Sequence, residues 1–161
     1  MAKKTTTNAC RILDRQKIAY TLHEYYDTEA TSGTEVARLL GEEENRIFKT
    51  LVLQGKSGDH YVMVIPSPCV IDLKKAAAAV GEKSIAMIPQ KELEPLTGYV
   101  HGGCSPVGMK KTFRTIVHPS ARDFETIFIS GGRIGLQLEI DVQDLEKAIP
   151  LEYEDITCSL K

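Results

Sequence analysis

The stretch His101-Gly102-Gly103-Cys104-Ser105-Pro106-Val107-Gly108-Met109-Lys110-Lys111 holds residue types that favour ligand contact over regular structure. Its glycines, serine and proline cannot continue a helix or a central strand. They describe a tight loop whose peptide amides can come close to a ligand, because glycine has no Cβ and tolerates positive φ. Lys110, Lys111 and then Arg114 set positive charge beside those amides. Such a combination suits an anionic or carbonyl-bearing ligand. The same composition also describes a solvated turn between two strands.

Lys49 is the sharpest single residue. It lies among Ile47, Phe48, Leu51, Val52 and Leu53 in an apolar run, where an ammonium is costly unless it is paired or opens onto a cleft. Strand alternation allows an outward-facing lysine; the functional alternative is a cation at a cleft floor, near a phosphate or a polarised carbonyl. Thr50 beside it is either a β-former or a pocket hydroxyl. Ser130-Gly131-Gly132 again places small residues after an apolar strand, as a plain hairpin turn or as a second pocket wall with amide and hydroxyl donors.

The familiar catalytic groupings are missing. Ser105 precedes a proline and sits in no GxSxG elbow. Cys104 has no neighbour placed to lower its pKa. Cys10, Cys69, Cys104 and Cys158 form no CxxC pair, and with the dispersed His23, His60, His101 and His118 they match no zinc spacing. The residues describe a pocket with a lysine, amide donors and a basic rim, and no protein nucleophile.

The elements that position these groups are legible in outline. Asn8 is expected to cap a helix over 9–17, and 18–25 alternates as a strand. Thr31 to Thr34 punctuate the chain before a helix over 35–40 that Gly41 stops. Strands at 47–53 and 60–66 flank a turn at 55–59. Asp72 caps an alanine-rich helix closed by Gly81. A short strand at 84–88 leads to Pro89, which opens a helix. Strands follow at 114–118, 126–130 and 136–140, and Asp141 caps a last helix over 142–148. Strands outnumber helices without regular βαβ alternation, so the expected class is α+β with a mixed, strongly curved, barrel-like sheet.

A chain of 161 residues fits one domain, taken here as 1–161 with a flexible segment at 1–8. A net charge of −2 argues against a nucleic-acid coat protein but leaves room for a local basic patch. With no tryptophan and only 6% aromatics, a wide base-stacking platform is excluded. No apolar signal region follows Met1-Ala2-Lys3-Lys4, and no run reaches membrane-spanning length. A cytoplasmic protein with free thiols is expected.

Phe48-Lys49-Thr50-Leu51, Asp72-Leu73-Lys74-Lys75, Gly102 to Gly108 with Lys110-Lys111, and Ser130-Gly131-Gly132 occur in the order in which similar motifs occur in the YbaK/EbsC family. The chain resembles that family from about 9 to 156. Its best-known members are bacterial Cys-tRNA(Pro) deacylases, related to the editing domain inserted in bacterial prolyl-tRNA synthetases. The resemblance implies an aminoacyl-tRNA deacylase that takes the 3′ end of tRNA, with prolyl-tRNA synthetase as a companion and with no cofactor, metal or membrane. Lys49 then holds the terminal adenosine or its phosphate, and Gly102 and Gly103 position the ester carbonyl. Tyr25, Thr50, Ser105, Ser130, Gly131 and Gln137 bind substrate, while Lys110, Lys111 and Arg114 meet the tRNA.

In cysteine-specific members of the family the substrate thiol attacks its own ester carbonyl and leaves as a thiolactone, so the enzyme needs only positioning and oxyanion stabilisation. Ser32, Gln137 and Cys104 depart from the family pattern (phenylalanine, aspartate and an aliphatic residue, respectively), which leaves the accepted amino acid open. Three alternatives stand beside cysteine removal: a deacylase for alanyl- or another small aminoacyl-tRNA using a bound water, a non-catalytic RNA-binding module on Lys110, Lys111 and Arg114, and a thiol-redox protein built on Cys104.

Overall fold

The computed structural model describes residues 7–25 and 33–158. The positions of Thr31 and Ser32, and most of the segment expected to be flexible, lie outside the described residues. In chain order the elements are α1 (Asn8–Arg15), β1 (Thr21–Glu24), α2 (Gly33–Leu40), β2 (Phe48–Gly55), β3 (His60–Pro66), α3 (Leu73–Val80), β4 (Ile85–Met87) and α4 (Gln90–Thr97). Then come β5 (Arg114–Val117), β6 (Ile127–Ser130), β7 (Leu136–Ile140), α5 (Val142–Ala148) and β8 (Leu151–Tyr153), with single 3₁₀ turns at Glu44–Arg46 and Pro119–Asp123.

Local chemistry sets most of these boundaries. The Asp72 carboxylate accepts from the Lys74 and Lys75 amides at 3.0 and 3.1 Å, and Asp141 accepts from Gln143 N–H at 2.8 Å, so each satisfies donors the first turn leaves free. At α1 the cap is Thr7, one residue before the expected Asn8. The buried Thr7 hydroxyl accepts from the Cys10 amide at 3.2 Å and donates to the Gly131 carbonyl at 2.6 Å. β8 escaped the sequence reading because three residues after Pro150 are too few for alternation to show.

Two sheets result. One is five-stranded and mixed, ordered β4-β2-β3-β5-β8, with β3–β5 and β5–β8 parallel; the other is antiparallel, β1-β7-β6. The α+β class and the mixed sheet stand, but the single barrel-like sheet is replaced by two open ones. They join at a parallel bridge between Ile47 and Phe128. β6 pairs with β7 along its whole length, from Ile127 with Ile140 to Ser130 with Gln137.

Period-two alternation in β2 and β3 splits the interior. Phe48, Val52, Val62 and Val64 face the main core with Leu13, Ile129 and Leu138. Leu53, Tyr61, Met63 and Ile65 face Ala76, Ala77 and Val80 of α3. A third cluster, Tyr25, Val36, Ala37, Ile47 and Phe128, lies under α2. Arg46 clamps the junction of the sheets: its guanidinium donates to the Thr126 carbonyl and hydroxyl at 3.1 and 2.6 Å and lies 5.1 Å from the Phe128 ring centroid. Glu139 accepts from the same Thr126 hydroxyl at 2.6 Å, which with His23 and Arg46 beside it holds its carboxyl below the usual range.

Candidate functional site

Between residues of β2 and β6 a cavity of about 480 Å³ opens. β2 supplies Lys49 and Thr50, β6 supplies Ser130, β7 supplies Gln137, and Tyr25, which follows β1, also lines it. The glycine loop contributes His101, Gly102 and Cys104, and Val36 of α2 closes another side. Six of the residues singled out from the sequence therefore meet in one place: Tyr25, Lys49, Thr50, Gly102, Ser130 and Gln137.

The register of the hairpin makes β2 a free edge here. Ser67 N–H donates to the Ile47 carbonyl at 2.7 Å, and Gly55 N–H to the Asp59 carbonyl at 2.9 Å. Odd-numbered residues of β2 thus bond β3, and the amides and carbonyls of Thr50 and Val52 face the other way. β4 takes up that edge only from Val52 onward, where Ile88 N–H reaches the Val52 carbonyl at 3.2 Å. β6 touches it at Ile47. Between these contacts the Thr50 peptide has no neighbouring strand among the described residues. This feature was missed from sequence, and its only trace there is the shortness of the strand at 84–88.

Lys49 is half-buried, and burial lowers its pKa from the ordinary lysine value, slightly opposed by the charge of Cys69. No aspartate or glutamate is among the described residues that line the cavity. The ammonium therefore stands ready for an anion from outside. Gln137 Nε2 donates to the Tyr25 hydroxyl at 3.3 Å, and Tyr25 N–H to the Gly135 carbonyl at 2.8 Å, fixing that wall.

The glycine loop is more a packing device than a ligand cradle. Val100 to Gly103 form a β-turn, closed by Gly103 N–H on the Val100 carbonyl at 3.0 Å, with Gly102 at φ +85° where a type II turn needs glycine. Gly103 does not line the cavity, and its amide is consumed by the turn. A methyl group at Gly103 would lie 2.8 Å from the Ile134 amide nitrogen, so this glycine lets two backbones touch. Ser105 is fully buried, its hydroxyl accepting from Val107 N–H at 3.2 Å. Tyr99 donates to the Val107 carbonyl at 2.6 Å and staples the loop from below. Gly131 likewise packs away from the cavity, its amide on the Leu136 carbonyl and its Cα against the Leu136 side chain.

The expected basic rim is uneven. Lys111 is exposed, and Lys110, also exposed, donates to the Pro95 carbonyl at 3.2 Å. Arg114 is not free: it forms a two-pronged pair with Glu152 at 2.7 and 3.1 Å and reaches the last carbonyls of α3. Cys104 lies on the cavity, but burial pushes its thiol up to about 12, the reverse of an activated nucleophile. Ser67, Gln90 and His101 also line the site; only His101, beside the glycines, had a signal in the sequence. Among the described residues no cluster of three metal-binding side chains occurs, and no helix is long and apolar enough to cross a membrane.

A mixed α+β fold with a lysine, an open strand edge and neutral hydroxyl and amide groups around one cleft suits an anionic or carbonyl-bearing ligand. Residues 27–148 match the aminoacyl-tRNA editing domain. The chain is 40% identical over 161 residues to a protein of Enterococcus faecalis (strain ATCC 700802 / V583) provisionally named Cys-tRNA(Pro)/Cys-tRNA(Cys) deacylase EbsC, covering 98% of both. It is 34% identical over 117 residues to the proline–tRNA ligase of Thermosipho melanesiensis (strain DSM 12029 / CIP 104789 / BI429), covering 68% of this chain and 20% of the ligase. A crystal structure provisionally titled as a trans-editing enzyme for prolyl tRNA synthetase shares the fold, with a TM-score of 0.84 at 21% identity over 97% of this chain and all of that one. The chain belongs to the aminoacyl-tRNA editing domain family and is an aminoacyl-tRNA deacylase by that membership.

Proposed function

We propose that this protein removes cysteine from Cys-tRNA(Pro), acting in trans beside prolyl-tRNA synthetase. The observation that carries the reading is a cavity that holds, among the described residues, a half-buried lysine with no acidic partner and several polar groups, yet no activated enzyme nucleophile. Lys49 meets a phosphate of the tRNA 3′ end. The Gly102 turn and the open Thr50 peptide edge hold the ester, and Ser130, Tyr25 and Gln137 close round the amino acid. The cysteine sulfur attacks its own ester carbonyl; a C–S bond forms, the C–O bond to the ribose breaks, and the thiol proton passes to the departing oxygen. The products are tRNA with a free 3′ end and a thiolactone. Holding sulfur and carbonyl in near-attack geometry supplies most of the acceleration such a step needs.

The test is a deacylation panel of Cys-tRNA(Pro), Ala-tRNA(Pro) and Cys-tRNA(Cys) with product identification. Thiolactone from the cysteine esters supports the reading. Free cysteine or alanine as product would assign the chemistry to a bound water, and tRNA binding without ester loss would make the protein a binding module. Loss of Cys-tRNA(Cys) at the same rate would show that the tRNA body is not discriminated, the breadth that the name of the E. faecalis relative carries.

A further inference from the structure

Two buried polar atoms at the cavity have no hydrogen-bond partner among the described residues: the Thr50 hydroxyl and the side-chain carbonyl oxygen Oε1 of Gln137. Gln137 is only 7% exposed, so bulk water does not serve that oxygen. The amide is not idle either. Its Nε2 is spent on the Tyr25 hydroxyl at 3.3 Å, which orients the group and leaves Oε1 as an acceptor awaiting a donor. Native structures rarely keep a buried acceptor unmade; a ligand group or an ordered water completes it.

An ester-linked amino acid offers few donors. Its ester carbonyl only accepts, a thiol donates weakly, and the α-ammonium carries three strong N–H groups. Among the described residues that line the cavity no carboxylate meets that cation, and Lys49, on the β2 side, repels it. Neutral oxygens on the β7 side are the favourable place for it. We propose that Gln137 Oε1 accepts the α-ammonium of the bound aminoacyl group, so that the cavity takes esters whose amino group is free and rejects those whose amino group is acylated. The proposal rests on the deacylase reading above and names which substrate group the β7 wall reads.

The experiment compares Cys-tRNA(Pro) with its N-acetyl derivative, which keeps both the ester and the thiol. The wild-type protein is expected to remove the free-amine ester about 10-fold faster or more, the worth of one hydrogen bond to a charged group. Gln137→Met keeps the length of the side chain without the acceptor; it should slow the free-amine ester by a similar factor and narrow the gap between the two substrates. Gln137→Glu retains an acceptor and should restore or widen the gap, which a structural role would not do and which is readable even if the methionine variant fails to fold. Equal wild-type rates on both esters would overturn the proposal, as would a gap that Gln137→Met leaves unchanged; either result would give that oxygen to another donor, such as the terminal ribose hydroxyl. Absence of turnover on either ester would sink the deacylase reading, and this proposal with it.

Discussion

Replacing Lys49 with methionine should make the protein more stable and inactive at once. The lysine is half-buried, no carboxylate is among the described residues that line its cavity, and burial lowers its pKa. A fully buried, unpaired ammonium costs several kcal/mol. Partial exposure screens Lys49, and we discount the relief to about 1 kcal/mol. For a chain of this length that shifts Tm upward by about 2–4 °C. The sign with pH follows from linkage. Between the lowered folded-state pKa and the ordinary lysine value of 10.5, the unfolded chain binds more protons, so wild-type stability gains as pH rises through that window. The Tm advantage of Lys49→Met should therefore be largest near neutral pH and fade toward pH 10.5. Deacylation should fall about 100-fold or more, as when one partner of a desolvated charge pair is removed. Melting curves at several pH values and single-turnover deacylation test both halves. A lower Tm would show that Lys49 has a stabilising partner in the free protein. Unchanged activity would remove it from the site, and with it the main argument for the proposed function.

Three further outcomes follow from contacts away from Lys49. Gly103→Ala forces a methyl group to 2.8 Å from the Ile134 amide and should cost about 1–3 kcal/mol, read as a drop in Tm; a neutral effect would refute the close backbone contact. Cys104→Ala should keep most of the deacylase activity, and the native Cys104 thiol, 7% exposed and pushed up to about 12, should resist alkylation at neutral pH until the protein unfolds. Lys111→Ala should reduce the salt dependence of tRNA binding by roughly 0.7 in the log–log slope, the share of one phosphate contact on single-stranded RNA. Arg114→Ala should change that slope little, because Glu152 already neutralises Arg114; the reverse ranking would relocate the RNA footprint.

The parts of the fold visible in the sequence are those set by neighbours in the chain. Asp72 and Gly81 bound α3 through contacts within four residues, and the turn between Gly55 and Asp59 fixes the register of β2 and β3. Lys49 stood out because a strong charge in an apolar run is costly wherever the strand lies. The glycine loop was half legible. Its composition marks where backbone must come close to something, but not whether that is a ligand, as Gly102 at the cavity, or another peptide, as Gly103 against Ile134. Arg114 looked like a free cation because Glu152 lies 38 residues away. Gln137 shows why alternation alone misleads. In Leu136-Gln137-Leu138-Glu139-Ile140 it occupies the face a two-sided strand gives to water, yet that face is covered by the cluster under α2, and only the family resemblance pointed to it.

Thr7 links the beginning of the chain to the chemistry. Its hydroxyl holds the carbonyl of Gly131, next to Ser130, and its side chain rests against Gly132. Thr7 thus braces the turn that follows Ser130 from behind. A purification tag or trimmed leader placed too near that threonine would act on editing itself, and a loss of turnover in such a preparation would be a fault of engineering mistaken for a property of the enzyme.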